Sequence, residues 1–470
     1  MEYGNLLFLY ILLPLVIFVY FVIPGMGRKN WVLLVASLLF YGLGNPLHMV
    51  LLVGLSFANY KLALRIVPED QSTLLLPVAL NLAVLASFKY VAPFLNTFGY
   101  KIDDLVIAFP VGLSLFAFSA VSYMVDVYIG KVEPEERFFN LLLYLMLFPK
   151  LIQGPLVRYE QVCDQLEHRR HSPRAVFEGL QRFLFGLAKK VLLADHCGMI
   201  LDQVNASGAD TTLVGVWFAG ILFLFRIYYD FSGYADMAIG LGRIFGFRYG
   251  ENFKRPYLAV SVKEFWSRWN VSLGQFLRDY VYLPMGGKEL GRVRHTLNLL
   301  IVWALLGIWH GSGLNYVIWA VYFFAVYMLE ENCSATFENL PDGLCRLLTW
   351  WFVLVGWIIF SHPVPGDLKA AAMAMLGYGG MATEGLGAVI GASLPLLLIC
   401  FLGCTDFPIY MKNLLNGVCG MGRRRKDGDR VTALRIVYLV ICVTAMAVLL
   451  WFCTISMVRY PVLPGIYSGF

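Results

Sequence analysis

Hydrophobic residues run along this chain in long blocks, with the polar residues gathered between them. Apolar runs cover approximately 6–24, 31–44, 47–65, 74–93, 104–130, 212–229, 297–312, 314–330, 347–361, 385–404 and 432–457. A helix of about 20 apolar residues crosses roughly 30 Å of hydrocarbon. Lipid offers no water to backbone polar groups, so helices that satisfy them internally are the expected form. The pattern predicts an all-α integral membrane protein with about eleven transmembrane helices. The first run reads as a retained span, because no basic residue precedes Arg28 and no small-residue cleavage pattern follows.

Three blocks break this rhythm. The stretch 138–157 is apolar but contains Phe148-Pro149-Lys150 and Gln153-Gly154-Pro155, which predicts a re-entrant or half-buried segment. Residues 174–202 place Phe177, Leu180, Phe183, Leu184, Leu187 and Val191 on one stripe beside Arg182, Lys189 and Lys190. That is the spacing of a helix lying in a membrane interface. The block 251–290 is dense in charge and aromatics, and its aromatic content predicts packing against the membrane core. No internal repeat, low-complexity tract or linker divides the chain, so it reads as one polytopic domain over 1–470.

Composition strengthens the membrane reading. The chain is 59% hydrophobic and 14% charged, with a mean hydropathy of +0.68. Soluble domains carry about a quarter charged residues. The net charge of +6 falls in loops and forms no basic stripe, so nucleic acid is not an expected partner. Basic segments lie at Arg28-Lys29, 158–174, 243–255, 288–294 and 423–426, whereas 331–345 is acidic. The positive-inside rule then puts the basic loops in the cytoplasm and the N-terminus outside. None of the nine Cys forms a CxxC pair or a Cys–His spacing suited to zinc, so no metal site is expected.

Candidate chemistry concentrates in three places. His310, in Leu306-Gly307-Ile308-Trp309-His310-Gly311-Ser312-Gly313, lies between two apolar runs. An ionisable side chain at membrane depth is costly and marks a functional candidate. A histidine hydrogen-bonded between helices is the competing structural reading. The neighbouring glycines favour function, since they let a helix break or another chain approach. The second place is Tyr228-Tyr229-Asp230-Phe231-Ser232-Gly233-Tyr234-Ala235-Asp236. Asp230 and Asp236 are six apart and face different directions on a continuous helix, so a glycine-broken helix organising a cavity is expected there. The third is the block containing Trp266, Arg268, Trp269, Asn270 and Leu273, followed by Arg278 and Asp279. Trp266, Trp269 and Leu273 recur at helical spacing and predict one buried face. Asn270 lies beside it, as a structural clamp or as a substrate contact.

Taken together, these blocks resemble the membrane-bound O-acyltransferase family, and within it the bacterial alginate O-acetylation branch. The matching elements are Phe148–Pro155, Tyr229–Gly242, Glu251–Tyr257, Glu264–Tyr282 and Trp309-His310-Gly311, in family order across a core of about 110–330. Residues 1–109 and 347–470 then supply peripheral spans. The resemblance implies a ring of helices around a central tunnel, with His310 as catalytic base and no bound cofactor. It also implies an acyl-thioester donor, here acetyl-CoA, and a bacterial inner-membrane location. Asp230, Ser232, Tyr234, Asp236, Trp266, Arg268, Trp269, Arg278, Asp279 and Trp309 are candidate tunnel or substrate contacts. One departure is Asn270, where the acetylating and D-alanylating branches usually carry a second histidine. That leaves His310 as the one candidate base and gives Asn270 the role of orienting the acyl carbonyl or stabilising the developing oxyanion. An extracytoplasmic esterase-like acetyltransferase and the polysaccharide biosynthesis machinery are the implied partners. D-alanyl transfer to teichoic acid is the alternative acyl transfer. A transporter or a catalytically silent scaffold is the alternative of another class.

Overall fold

The computed structural model describes residues 3–98, 109–151, 153–418, 428–460 and 462–465. Among them every regular element is a helix, as the block pattern predicts. Among the described residues five helices are long and apolar enough to cross a membrane: Gln71–Val91, Leu213–Ile244, Asp342–Ser361, Leu386–Cys404 and Val437–Arg459. Phe8–Val22 and Leu113–Tyr128 are shorter apolar helices. The other predicted runs are also helical, as Met26–Gly42, Pro46–Ala63, Arg292–His310 and Leu314–Asn332. The start of the run at 104–130 and the basic segment 423–426 lie outside the described residues.

The long helices differ in what surrounds them. In Val437–Arg459, 11% of the apolar stretch is buried within the protein, and Val440, Trp451 and Phe452 are exposed, as a lipid-facing surface requires. In Leu213–Ile244 the share is 72%, so this helix forms the axis of the molecule.

The sequence predicts a glycine break near Gly233, but the central helix Leu213–Ile244 runs unbroken for 32 residues. Its glycines serve close packing instead. A Cβ on Gly186 would stand 2.5 Å from the Gly233 carbonyl oxygen, and one on Gly179 would stand 2.7 Å from that of Gly240. Two glycine pairs, seven residues apart on each helix, therefore bring the backbones of Pro173–Ala188 and Leu213–Ile244 together in antiparallel sense. The stripe predicted to lie on an interface is covered by protein, with Phe183, Leu184, Leu187 and Val191 all in the core.

A π-helical turn at Lys189–Ala194 follows, with the extra residue per turn that such turns insert. Lys189 Nζ lies 2.6 Å from Asp236, and Lys190 Nζ lies 2.9 Å from Asp230 and 2.6 Å from Asp195. Arg182 reaches Asp236 at 2.9 Å.

The stretch 138–157 forms two short helices, Phe138–Met146 and Phe148–Leu151, with Leu141–Leu151 entirely buried. Trp266, Trp269 and Leu273 do not share one helix. Val262–Arg268 ends before Trp269, Asn270 adopts the left-handed conformation (φ 44°), and Val271–Leu277 restarts the winding. Asparagine tolerates that conformation better than most residues.

Candidate active site

The helix that carries His310, Arg292–His310, ends on that residue. After the turn Gly311–Gly313, Leu314–Asn332 folds back against it. The crossing is tight, since a Cβ on Gly307 would stand 2.8 Å from both the Ala320 methyl and the Tyr316 carbonyl oxygen. Asn315 Nδ2 donates to the Phe360 carbonyl at 2.7 Å and ties the turn to Asp342–Ser361. His310 is buried among rings: Trp319 at 5.1 Å and Phe360 at 5.0 Å both meet it edge-on, and Trp309 lies at 4.7 Å.

The break at Asn270 is held from a distant segment. Asn252 Oδ1 accepts from Ser272 N at 3.0 Å and from Ser272 Oγ at 2.8 Å. The Asn252 carbonyl accepts from Val271 N, and Lys254 N donates to the Arg268 carbonyl at 2.9 Å. Backbone groups that a helix break leaves open are thereby satisfied. Upstream, Glu330 accepts from Val262 N at 2.7 Å and Lys263 N at 3.0 Å, capping the Trp266 helix together with Ser261.

These supports shape a cavity of about 540 Å³ that both His310 and Asn270 line. Its inner walls are aromatic, with Trp269, Trp303 and Trp319 buried and Trp266 half-buried, and Trp266, Trp303 and Trp319 pack edge to face. Its exposed lining is cationic: Lys254, Lys263, Arg278 and Lys288. His295 also lines it, bonded to Tyr282 Oη at 2.7 Å and to Glu331 at 3.0 Å. Burial works against the Glu331 carboxylate, but hydrogen bonds from His295 and Lys288 hold it below the usual carboxylate range. A second, smaller cavity of about 40 Å³ is lined by Ser114, Gln153, Phe231, Asn270 and Trp309, among others. Asn270 borders both cavities.

The residues singled out in the sequence thus separate into groups. His310, Asn270, Trp266, Trp269 and Arg278 line the larger cavity, and Trp309 lines the smaller one. Asp230 and Asp236 pair with the lysines of the π turn, and Tyr234 packs on Tyr3 at 5.8 Å. Ser232 is buried on the same helix. Arg268 pairs with Glu264, and Asp279 meets Arg158 at 2.6 Å. None of these last six is among the lining of either cavity. Trp303, Trp319 and Asn252 carry no local pattern in the sequence that marks them for the site. The available signal was five tryptophans, at 266, 269, 303, 309 and 319, gathered into one part of the chain.

A buried imidazole reached by a cavity can take up a proton, and an amide on the same wall can donate to a developing oxyanion. Comparison with known proteins assigns the chemistry to a family. Residues 135–365 match the model of MBOAT, the membrane-bound O-acyltransferase family. The chain is 33% identical over 375 residues to the "Probable alginate O-acetylase" of Pseudomonas syringae pv. tomato, covering 77% of this chain and 72% of that one. It is 29% identical to the peptidoglycan O-acetyltransferase of Helicobacter pylori, over 81% of this chain and 80% of that one. It is 25% identical to the teichoic acid D-alanyltransferase of Bacillus subtilis, over 53% and 68%. A multi-pass helical chain with these relatives is an acyltransferase, and it belongs to the membrane-bound O-acyltransferase family.

Proposed function

We propose that this protein takes an acetyl group from a cytoplasmic thioester, acetyl-CoA, and passes it across the bacterial inner membrane for O-acetylation of an extracytoplasmic polysaccharide. The observation that carries this reading is the larger cavity, which joins His310 and Asn270 to an exposed lining of Lys254, Lys263, Arg278 and Lys288. Cations around an opening favour a polyanionic donor, and the phosphates of coenzyme A supply that charge. The tryptophan walls suit the uncharged arm that leads to the thioester.

His310 is the proposed base. It takes the proton of the attacking hydroxyl as the oxygen adds to the thioester carbonyl. Asn270 donates an N–H to the oxyanion that forms. Collapse of the tetrahedral intermediate breaks the C–S bond, and the proton on His310 goes to the departing sulfur. The proposed acceptor chain runs through an extracytoplasmic esterase-like acetyltransferase to a polymer such as alginate. Names of the relatives support this order: those that acetylate match over about three quarters of the chain or more, and the D-alanylating one over 53%.

Purified protein tests the reading directly. With acetyl-CoA as donor and an added hydroxyl acceptor, an alginate oligosaccharide, it should release free thiol as the acetyl ester forms, and His310→Ala should stop the release. Turnover of a D-alanyl carrier thioester, with acetyl-CoA inert, would move the function to the D-alanylating branch. Wild-type turnover by His310→Ala would remove His310 from the chemistry.

A further inference from the structure

Gln71–Val91 is a membrane-length helix with one charged residue, Lys89, and only 17% of its apolar stretch is buried within the protein. A lysine two residues from the end of such a stretch ordinarily snorkels toward the interface, whereas this one is half-buried against the protein. Its partner lies far along the chain. Lys89 Nζ donates to the carbonyl oxygen of Trp309, and the next residue, Tyr90, donates its hydroxyl to the carbonyl of Ile308. The same ammonium stands over the Trp309 ring, 5.4 Å from its centre.

Those two carbonyls belong to the last turn of Arg292–His310. The last four carbonyls of a helix have no donor within it and carry the negative end of its dipole. Among the described residues, Gly311 N supplies one local bond, to Ile308 at 3.2 Å. Lys89 and Tyr90 bring an amino group and a hydroxyl, both hydrogen-bond donors, to the end on which His310 sits. As the final helical residue, His310 moves with that turn if it frays. Lys89 is not among the residues lining either cavity, so its reach is to the helix end and not to the donor.

We infer that Lys89, with Tyr90 beside it, is a positioning residue for acyl transfer: it caps the His310 helix and fixes the imidazole against the cavity. This rests on the reading of His310 as the base. A displacement of about 1 Å at a reacting group can cost on the order of 10²-fold in rate.

The test uses the full-length protein in detergent, acetyl-CoA as the probe donor, an alginate oligosaccharide as the hydroxyl acceptor and thiol release as the readout. Lys89→Met keeps the length of the side chain and removes its charge and its donors. It should lower kcat by about 10- to 100-fold with KM for acetyl-CoA within about twofold, since the cavity lining is untouched. Lys89→Arg, which restores a cation and N–H donors, should recover most of kcat, and Tyr90→Phe should cost less than Lys89→Met. The same ranking should appear in cells as base-releasable acetate on envelope polymer, where the cell supplies its own donor. Wild-type kcat in Lys89→Met, or a loss that Lys89→Arg does not relieve, would overturn the inference. So would a loss matched by an equal fall in thermal stability. His310→Ala run alongside separates the two claims: if it is inactive while Lys89→Met is normal, the positioning role alone fails. If His310→Ala is itself active, the reading beneath it fails as well.

Discussion

Two regions of this molecule bury polar groups, and they do so in opposite ways. Where Pro173–Ala188 and the π turn cross the central helix, each carboxylate meets a cation: the buried Asp230 and Asp195 share Lys190, and the half-buried Asp236 sits between Lys189 and Arg182. Around His310 the neighbours are Trp319, Phe360 and Trp309, and the imidazole opens on a cavity of about 540 Å³. Charge compensated within the fold stabilises a scaffold. A titratable ring set in an aromatic wall beside open space is arranged to meet something from outside.

The sharpest way to break this contrast is His310→Ala. Acyl transfer should fall by about 10²–10⁴-fold while the melting temperature in detergent holds. Lys190→Met should do the reverse. Stranding Asp230 and Asp195 in the interior should cost about 3–5 kcal/mol of stability, with turnover per folded molecule unchanged. If that variant melts like the parent but loses turnover, Asp230 moves from scaffold to chemistry. Asn270→Ala comes next, with about 10²–10³-fold lost from kcat in the thiol-release assay. Gly186→Ala forces a methyl against the Gly233 carbonyl, and thermal unfolding should register about 1–3 kcal/mol. The smallest effect belongs to the cationic opening. Lys263→Met or Lys288→Met should each raise KM for acetyl-CoA by about two- to fivefold, and added salt should shrink the difference.

The same contrast explains how much the sequence could show. Membrane residence and the all-α fold were legible because lipid imposes them on composition and block length alone. His310 stood out because a single ionisable residue between apolar runs is visible without its partners. Asp230 and Asp236 looked equally chemical, since the lysines that neutralise them lie some forty residues earlier and a π turn turns both toward the central helix. The glycines of that helix read as break points for a related reason. Locally, glycine frees the backbone, and only the facing Gly179 and Gly186 convert that freedom into contact. The restart at Asn270 had no proline or glycine to announce it. Its cause is Asn252, eighteen residues upstream, whose side chain accepts from Ser272.

The glycine pairs also settle how these two helices find each other. Moving one past the other by a single helical turn would set the bulk of Met237 or Phe183, which neighbour the contacts, against backbone that now touches backbone. With pegs seven residues apart on both partners, a misaligned pair cannot close, so the crossing works as a lock with one setting. A chain that must sort its helices in a crowded bilayer thereby gains a gauge for its own assembly, cut from the smallest residue it has.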